Sequence, residues 1–366
     1  MKSFALYLVI SLYCPLAAWG QSHQNESSET DRYRQQAAAA PAEANGGAYV
    51  SGMFGNGRAH GGNTSGNKDM KWRSFELRFG KELDTSGIGT PPFFSGKEKI
   101  RVDFVHYNEG HPENNHRDGF GAQLVYSNAV SDNLTAELGA GPYLSMNTTD
   151  PGGGQINDSK VGILLSLALR IRLDRLDRYS QGLHMRIGLN HVAMRSVHSS
   201  DALLVGIGKH FGVTPPYRTA DSSRRPVWIG AAVSNAITNQ SDTEHTLGFS
   251  LDAKQHWGPW AASIAAVNEG DDENQVDRHG IAAQAWFNQP LTDKWTVSAG
   301  VGPYFAQNKR EPSEDWKVLG LITFQADRLI AKDIKVFVSF SRVATFRDKN
   351  DRDLIRLGIM KQFGGG

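Results

Sequence analysis

The chain has 366 residues and 39 glycines, with 39 Lys and Arg set against 38 Asp and Glu, for a formal net charge of +1. So balanced a charge gives no global field to steer a nucleic acid, which argues against a nucleic-acid partner. No segment approaches the ~18 consecutive apolar residues of a membrane-spanning helix.

The first twenty residues read as a cleavable export signal. Lys2 supplies the basic start, Phe4 to Leu16 a mostly apolar run, and Ala18-Trp19-Gly20 the small-x-small site before Gln21. Cys14, the only cysteine, lies inside this segment. Its neighbour Tyr13 is bulkier than lipoprotein processing prefers, so plain cleavage is expected. A mature exported chain without disulfides needs size or a closed sheet to hold it together. Two classes fit: a soluble β protein, or an outer-membrane barrel whose strands look weakly hydrophobic because only alternate residues meet lipid. Residues 21–47 are polar and then alanine-rich, which predicts a disordered tail, with a short helix as the alternative.

From residue 48 onward, period-2 patterning dominates the chain. Strands are predicted near 48–57, 71–82, 97–108, 119–130, 133–145, 160–174, 182–194 and 201–212. Eight more are predicted near 227–237, 245–256, 259–268, 280–288, 293–306, 316–327, 333–345 and 352–363. Val161 to Asp174 decides the class. Val161, Ile163, Leu165, Leu167, Leu169, Ile171 and Leu173 share one face, longer than the usual five or six residues of a soluble strand. Crossing a bilayer takes about nine to eleven residues. Tight turns such as Ser131-Asp132-Asn133 and Thr292-Asp293-Lys294 alternate with polar loops at 109–118, 146–159, 269–279 and 307–315, the outer-membrane arrangement. Aromatics near strand ends (Tyr143, Trp228, Trp257, Trp260, Trp286, Trp295, Tyr304, Trp316) suggest interfacial girdles.

The pattern is stated twice. Asn108-Glu109-Gly110, Arg117, Gly119, Gln123 and Gly139-Ala140-Gly141-Pro142-Tyr143 recur as Asn268-Glu269-Gly270, Arg278, Gly280, Gln284 and Gly300-Val301-Gly302-Pro303-Tyr304. Repetition in fixed order marks a duplicated unit. The expected organisation is a first barrel repeat at 48–212, a Pro-containing linker at 213–225 and a second repeat at 226–366. Sixteen antiparallel strands make either two eight-stranded barrels or one large barrel. Inner faces of Gly, Ser, Thr, Glu and Arg, with few bulky apolar groups, favour the single barrel with a wide, water-filled lumen.

Two constellations could carry chemistry. The repeated Glu109/Arg117 and Glu269/Arg278 could bind sugar hydroxyls or phosphates at a barrel mouth, or simply clamp a loop; the clamp is favoured. The end of each copy resembles the lipid A 3-O-deacylase family, an eight-stranded outer-membrane barrel bearing His-x-Ser-Asn. The matching stretch is Met185-Arg186-Ile187-Gly188-Leu189-Asn190-His191-Val192-Ala193-Met194, followed by 201–211. The resemblance implies a catalytic role for His191, but Ala193 stands where the serine would be. Arg342 and Ala344 hold these positions in the second copy. Asp201 and Asp353 are candidates for the acidic partner. Alanine cannot be acylated, so activity by that mechanism is not expected. Ser196, Ser199 and Ser200 lie nearby in an expected loop. His106, His111 and His116 share a neighbourhood, yet no metal or cofactor is expected. Gly-x-Ser-x-Gly, P-loop and zinc-protease motifs are absent.

The reading is therefore a Gram-negative outer-membrane β-barrel, all-β and transmembrane. It is expected to be a non-enzymatic pore or surface component, passing polysaccharide or another solute. A degenerate membrane acyl-ester hydrolase and a structural or adhesive surface protein are the alternatives. Lipid or lipopolysaccharide would be the partner, with oligomeric state open.

Overall fold

A computed structural model describes residues 47–60, 74–83, 98–110, 115–149, 156–173, 182–195, 199–211, 226–238, 245–313, 315–346 and 350–364. The export signal, the tail and the 213–225 linker fall outside these. Every predicted strand is present. The first eight are β1 (Ala48–His60), β2 (Ser74–Glu82), β3 (Glu98–Gly110), β4 (Asn115–Ser131), β5 (Leu134–Thr149), β6 (Ile156–Arg172), β7 (Leu183–Ala193) and β8 (Ser199–Phe211). The second eight are β9 (Val227–Thr238), β10 (His245–Trp257), β11 (Trp260–Asp271), β12 (Asp277–Pro290), β13 (Trp295–Asn308), β14 (Trp316–Ala331), β15 (Ile334–Ala344) and β16 (Arg352–Phe363).

These strands close into two antiparallel barrels, β1–β8 and β9–β16, which corrects the single sixteen-stranded barrel. Closure is direct. β1 pairs β8 with Phe54 opposite Val205, and β16 pairs β9 with Leu357 opposite Val233. The expectation failed because it weighed only apolar bulk. Long charged side chains fill an eight-stranded interior just as well: Arg78, Arg101, Arg117 and Arg186 are among the largest fully buried side chains.

The outer wall is apolar. On β6, Val161, Ile163, Leu165, Leu167 and Leu169 are all exposed, Leu167 by 55%, while Leu164, Ser166, Ala168 and Arg170 point inward and are buried. A sheet with its apolar face outside and its charged face inside is inverted relative to a soluble protein, and is that of a transmembrane barrel. No helix among the described residues is long and apolar enough to cross a membrane. Tight turns lie at one end, including Trp257-Gly258-Pro259-Trp260, where Gly258 takes φ +61°. Longer connections lie at the other, except that β2–β3 and β6–β7 are also joined by long connections at the tight-turn end.

Two expectations shift with side-chain parity. Tyr143, Tyr304, Trp228 and Trp286 point inward and are buried, so only the remaining Trp257, Trp260, Trp295 and Trp316 suit a girdle. The expected loops at 109–118, 146–159 and 269–279 are largely strand, with β5 running to Thr149 and β6 starting at Ile156. Beyond the lipid band the outer face is no longer apolar, so the alternation that marks a strand vanishes while the hydrogen-bonded ladder continues.

The barrels touch wall to wall. Phe120 stacks on Phe324 at 5.5 Å between ring centroids, Phe79 meets Phe324 edge-on at 5.5 Å, and Phe104 lies 5.7 Å from Phe287. Offset and edge-to-face aromatic pairs of this kind add to the area they bury.

Candidate functional site

The outer-wall candidates do come together. His191 on β7 and Asp201 on β8 are direct register partners, and Nδ1 of His191 lies 2.6 Å from Oδ1 of Asp201. His60, the last residue of β1, contacts the other oxygen of the same carboxylate. The group faces outward near the longer connections, with the His191 and Asp201 side chains 42% and 53% exposed. A carboxylate on Nδ1 fixes the tautomer that leaves Nε2 free as a base. Among the described residues, no hydroxyl hydrogen-bonds to His191. Ala193 stands two residues on, at the same strand parity as His191. Ser199 accepts from the Met194 amide at 3.2 Å, and Ser200 turns inward onto Glu109. Both belong to β8 rather than to a loop, and Ser196 lies outside the described residues.

The second copy keeps the slot and changes its occupant. Arg342 on β15 faces Asp353 on β16, with Nε at 2.5 Å and Nη2 at 3.0 Å from the two carboxylate oxygens. Nη2 also contacts Asp118 of the first barrel, and Arg342 is buried. This slot closes the contact between barrels.

The repeated motif is a clamp built on a strand end, not a mouth loop. In each copy the Asn side chain accepts the amide of the Gly two residues on, Asn108 from Gly110 and Asn268 from Gly270, both at 2.9 Å. Those glycines take φ +122° and +80°, and the ladder register shifts there. A left-handed residue in a bulge re-aims the chain. The Glu between is thereby turned inward onto its Arg. Glu109 pairs Arg117 at 2.9 Å and accepts from Ser145 and Ser200 at 3.3 and 2.5 Å. Glu269 binds Arg278 through both oxygens, at 2.7 and 2.9 Å, while Arg278 also donates to Asn350. All four candidates are buried in these pairs. Gln123 and Gln284 repeat too, donating over the intervening strand to the Leu164 and Leu321 carbonyls. At the second rim, burial of the Asp272 carboxyl opposes its ionisation. The amides of Val276, Gln275 and Asn274 and the Thr238 hydroxyl outweigh that and hold it below the usual carboxylate value.

The residues that sequence reasoning passed over fill the first lumen. Arg78 bridges Glu76 and Asp103 at 3.0 and 2.9 Å; Arg101 bridges Asp103 and Glu137 at 2.5 and 3.0 Å. Arg186 joins Glu137 at 2.9 Å to Glu76 at 3.0 Å, and Arg170 reaches Glu137 at 3.0 Å. A usable signal was in the chain. Glu76-x-Arg78 and Arg101-x-Asp103 place charges at the inward phase of otherwise alternating strands. The second lumen is differently filled: Lys254 sits 3.6 Å over the Trp286 ring, Lys335 4.8 Å over Trp228, and Arg356 meets Asp252 at 3.4 Å. His106 faces outward between the barrels against Phe340, while His111 and the His116 side chain lie outside the described residues. Among the described residues no His, Cys, Asp or Glu cluster could hold a metal ion.

No family model matches the chain, and no curated relative matches it. Solved structures do align. The attachment invasion locus protein of Yersinia pestis matches with TM-score 0.34 and 10% identity, over 46% of this chain and 99% of that one. Neisserial surface protein A matches with TM-score 0.31 and 15% identity, over 44% and 96%. A toluene transporter of Ralstonia pickettii spans more, 88% of this chain and 90% of its own, with TM-score 0.25 and 9% identity. At these values the likeness concerns fold alone, and the barrel assignment rests on the strand pairing.

Proposed function

We propose that the chain is an outer-membrane double barrel with a non-enzymatic surface or scaffolding role, meeting its partners through wall and rim rather than through an open lumen. The observation that carries this is the buried ion-pair lattice spanning the first barrel, from Glu76 and Arg78 to Glu137 and Arg186. Between the pore and surface readings, a filled eight-stranded interior supports the second. The export signal, the apolar wall and the aromatic belt support an outer-membrane location, with lipid or lipopolysaccharide as the surroundings. Planar-bilayer recording of the refolded mature chain tests the role: no stepwise conductance is expected, and stable open channels would restore solute passage.

A second reading has its own observation, the 2.6 Å contact of His191 with Asp201. It supports a site descended from a lipid acyl-ester hydrolase and inert for want of a hydroxyl at Ala193. Lipid A from cells expressing the protein should be unchanged by mass spectrometry. Loss of an acyl chain that disappears with His191→Ala would make the protein an enzyme, and acyl loss gained with Ala193→Ser would support the ancestry.

A further inference from the structure

Three adjacent strands of the first barrel, β7, β8 and β1, gather four polar side chains at one edge of the apolar wall. Asp201 on β8 is the register partner of His191 on one side and of Arg58 on the other. His60 follows Arg58 two residues along the same outward face of β1, and both are exposed. From Asp201 the outward residues of β8 continue toward the opposite rim as exposed Leu203, Val205 and Ile207. The group therefore sits where the hydrocarbon band ends and lipid headgroups begin. An ionisable cluster on a lipid-facing wall is costly unless something pairs with it.

The four groups are complementary to a zwitterion. Both oxygens of Asp201 are taken by imidazoles, Oδ1 by Nδ1 of His191 at 2.6 Å and Oδ2 by Nε2 of His60. A carboxylate only accepts, so each of these nitrogens carries its ring's proton, and the other nitrogen of each neutral ring is an acceptor. The His191 and His60 side chains are 42% and 48% exposed, and Nε2 of His191 is not among the buried nitrogens. Arg58 has no ion-pair partner among the described residues. A bare anion would be drawn to Arg58 and repelled by Asp201, and a bare cation the reverse. A phosphate joined to a primary ammonium by a short linker suits both. Its phosphate oxygens accept from the guanidinium, and its N–H groups donate to the two imidazole acceptors with the Asp201 charge beside them. The order along β1 agrees: Phe54, Arg58 and His60 succeed one another outward from the apolar band, as acyl chain, phosphate and ammonium do in such a lipid. We propose that Arg58, His60, His191 and Asp201 bind the phosphoethanolamine headgroup of a two-chain phospholipid, which rests on the outer-membrane reading in which the wall meets the partner.

Native mass spectrometry of the refolded chain in detergent tests this, with an equimolar mixture of phosphatidylethanolamine, phosphatidylcholine and phosphatidylglycerol of identical acyl chains. Phosphatidylcholine keeps the charge but has no N–H to donate, and phosphatidylglycerol keeps the phosphate but has no cation. One retained phosphatidylethanolamine per chain is expected, favoured about tenfold or more over each of the others. Arg58→Gln should lower its retention about fivefold or more, and Asp201→Asn should bring it to within about threefold of phosphatidylglycerol. Both side chains are exposed on the outer face, so both variants should keep heat-modifiable migration. In protein that migrates so, equal retention of phosphatidylcholine, a preference for phosphatidylglycerol, or retention unmoved by Arg58→Gln or Asp201→Asn would overturn the headgroup site and leave the barrel reading standing. Migration insensitive to heat in the unsubstituted protein would overturn both.

Discussion

The same slot on the outer wall has met two fates. In the first barrel it holds His191 and Asp201 on β7 and β8, partly exposed, with His60 as a third member. In the second it holds Arg342 and Asp353 on β15 and β16, buried, with Asp118 of the other barrel as the third member. The barrels meet through β2–β5 of one and β12–β15 of the other, so the strand order carries the His191 group to the far side, facing lipid. An imidazole in a half-exposed carboxylate contact keeps chemistry available. A guanidinium held between two carboxylates offers only attachment. One slot thus keeps an imidazole–carboxylate pair on a partly exposed wall, and the other fastens the two barrels together.

The two slots should respond very differently to loss of their basic member. Arg342→Ala removes the guanidinium held between Asp118 and Asp353 in a buried contact, and should cost about 3–5 kcal/mol. Denaturant unfolding of the refolded protein reads this, and an effect below about 1 kcal/mol would mean the barrels are not fastened there. Leu167→Arg, on the open wall of the first barrel, should cost about 2–4 kcal/mol at mid-bilayer. Its neighbour Ala168→Arg should be at least as damaging, because Ala168 is buried in an interior already filled by long charged side chains such as Arg170 and Arg186. A mild Ala168→Arg would argue for the wide lumen after all. Smallest of all, His191→Ala removes an exposed pair and should change stability by about 1 kcal/mol or less. A larger loss would give the first slot a structural duty matching the second.

Much of this was legible in the chain, for reasons specific to each part. The strand Val161 to Asp174 announces itself because lipid demands one wholly apolar face. The pairing of His191 with Asp201 was within reach because only ten positions separate them across a single connection. His60 was not, since it meets Asp201 through barrel closure, 141 positions away. The lumen resisted for a related reason. Arg186 finds Glu76 at 110 positions' distance, and an inward arginine looks alike whether it lines water or crosses to a carboxylate. Counting only apolar bulk therefore mistook a filled interior for an open one. The Asn-Glu-Gly repeat was visible as a motif, but its meaning as a bulge with an inward Glu depends on the left-handed glycines.

Barrel closure is the claim on which the rest depends, and a cysteine pair reads it directly in a Cys14→Ser background, which removes the one native cysteine. Phe54 and Val205 are opposite one another on the outer faces of β1 and β8 and are both exposed. Cross-strand neighbours of this kind are within disulfide reach. Oxidation of Phe54→Cys/Val205→Cys in membranes should give an intramolecular disulfide, seen as a mobility shift reversed by reductant, while Phe54→Cys/Leu357→Cys should give none. The opposite result, a bond from β1 to β16 and none to β8, would mean one sixteen-stranded barrel and would contradict the two closed barrels.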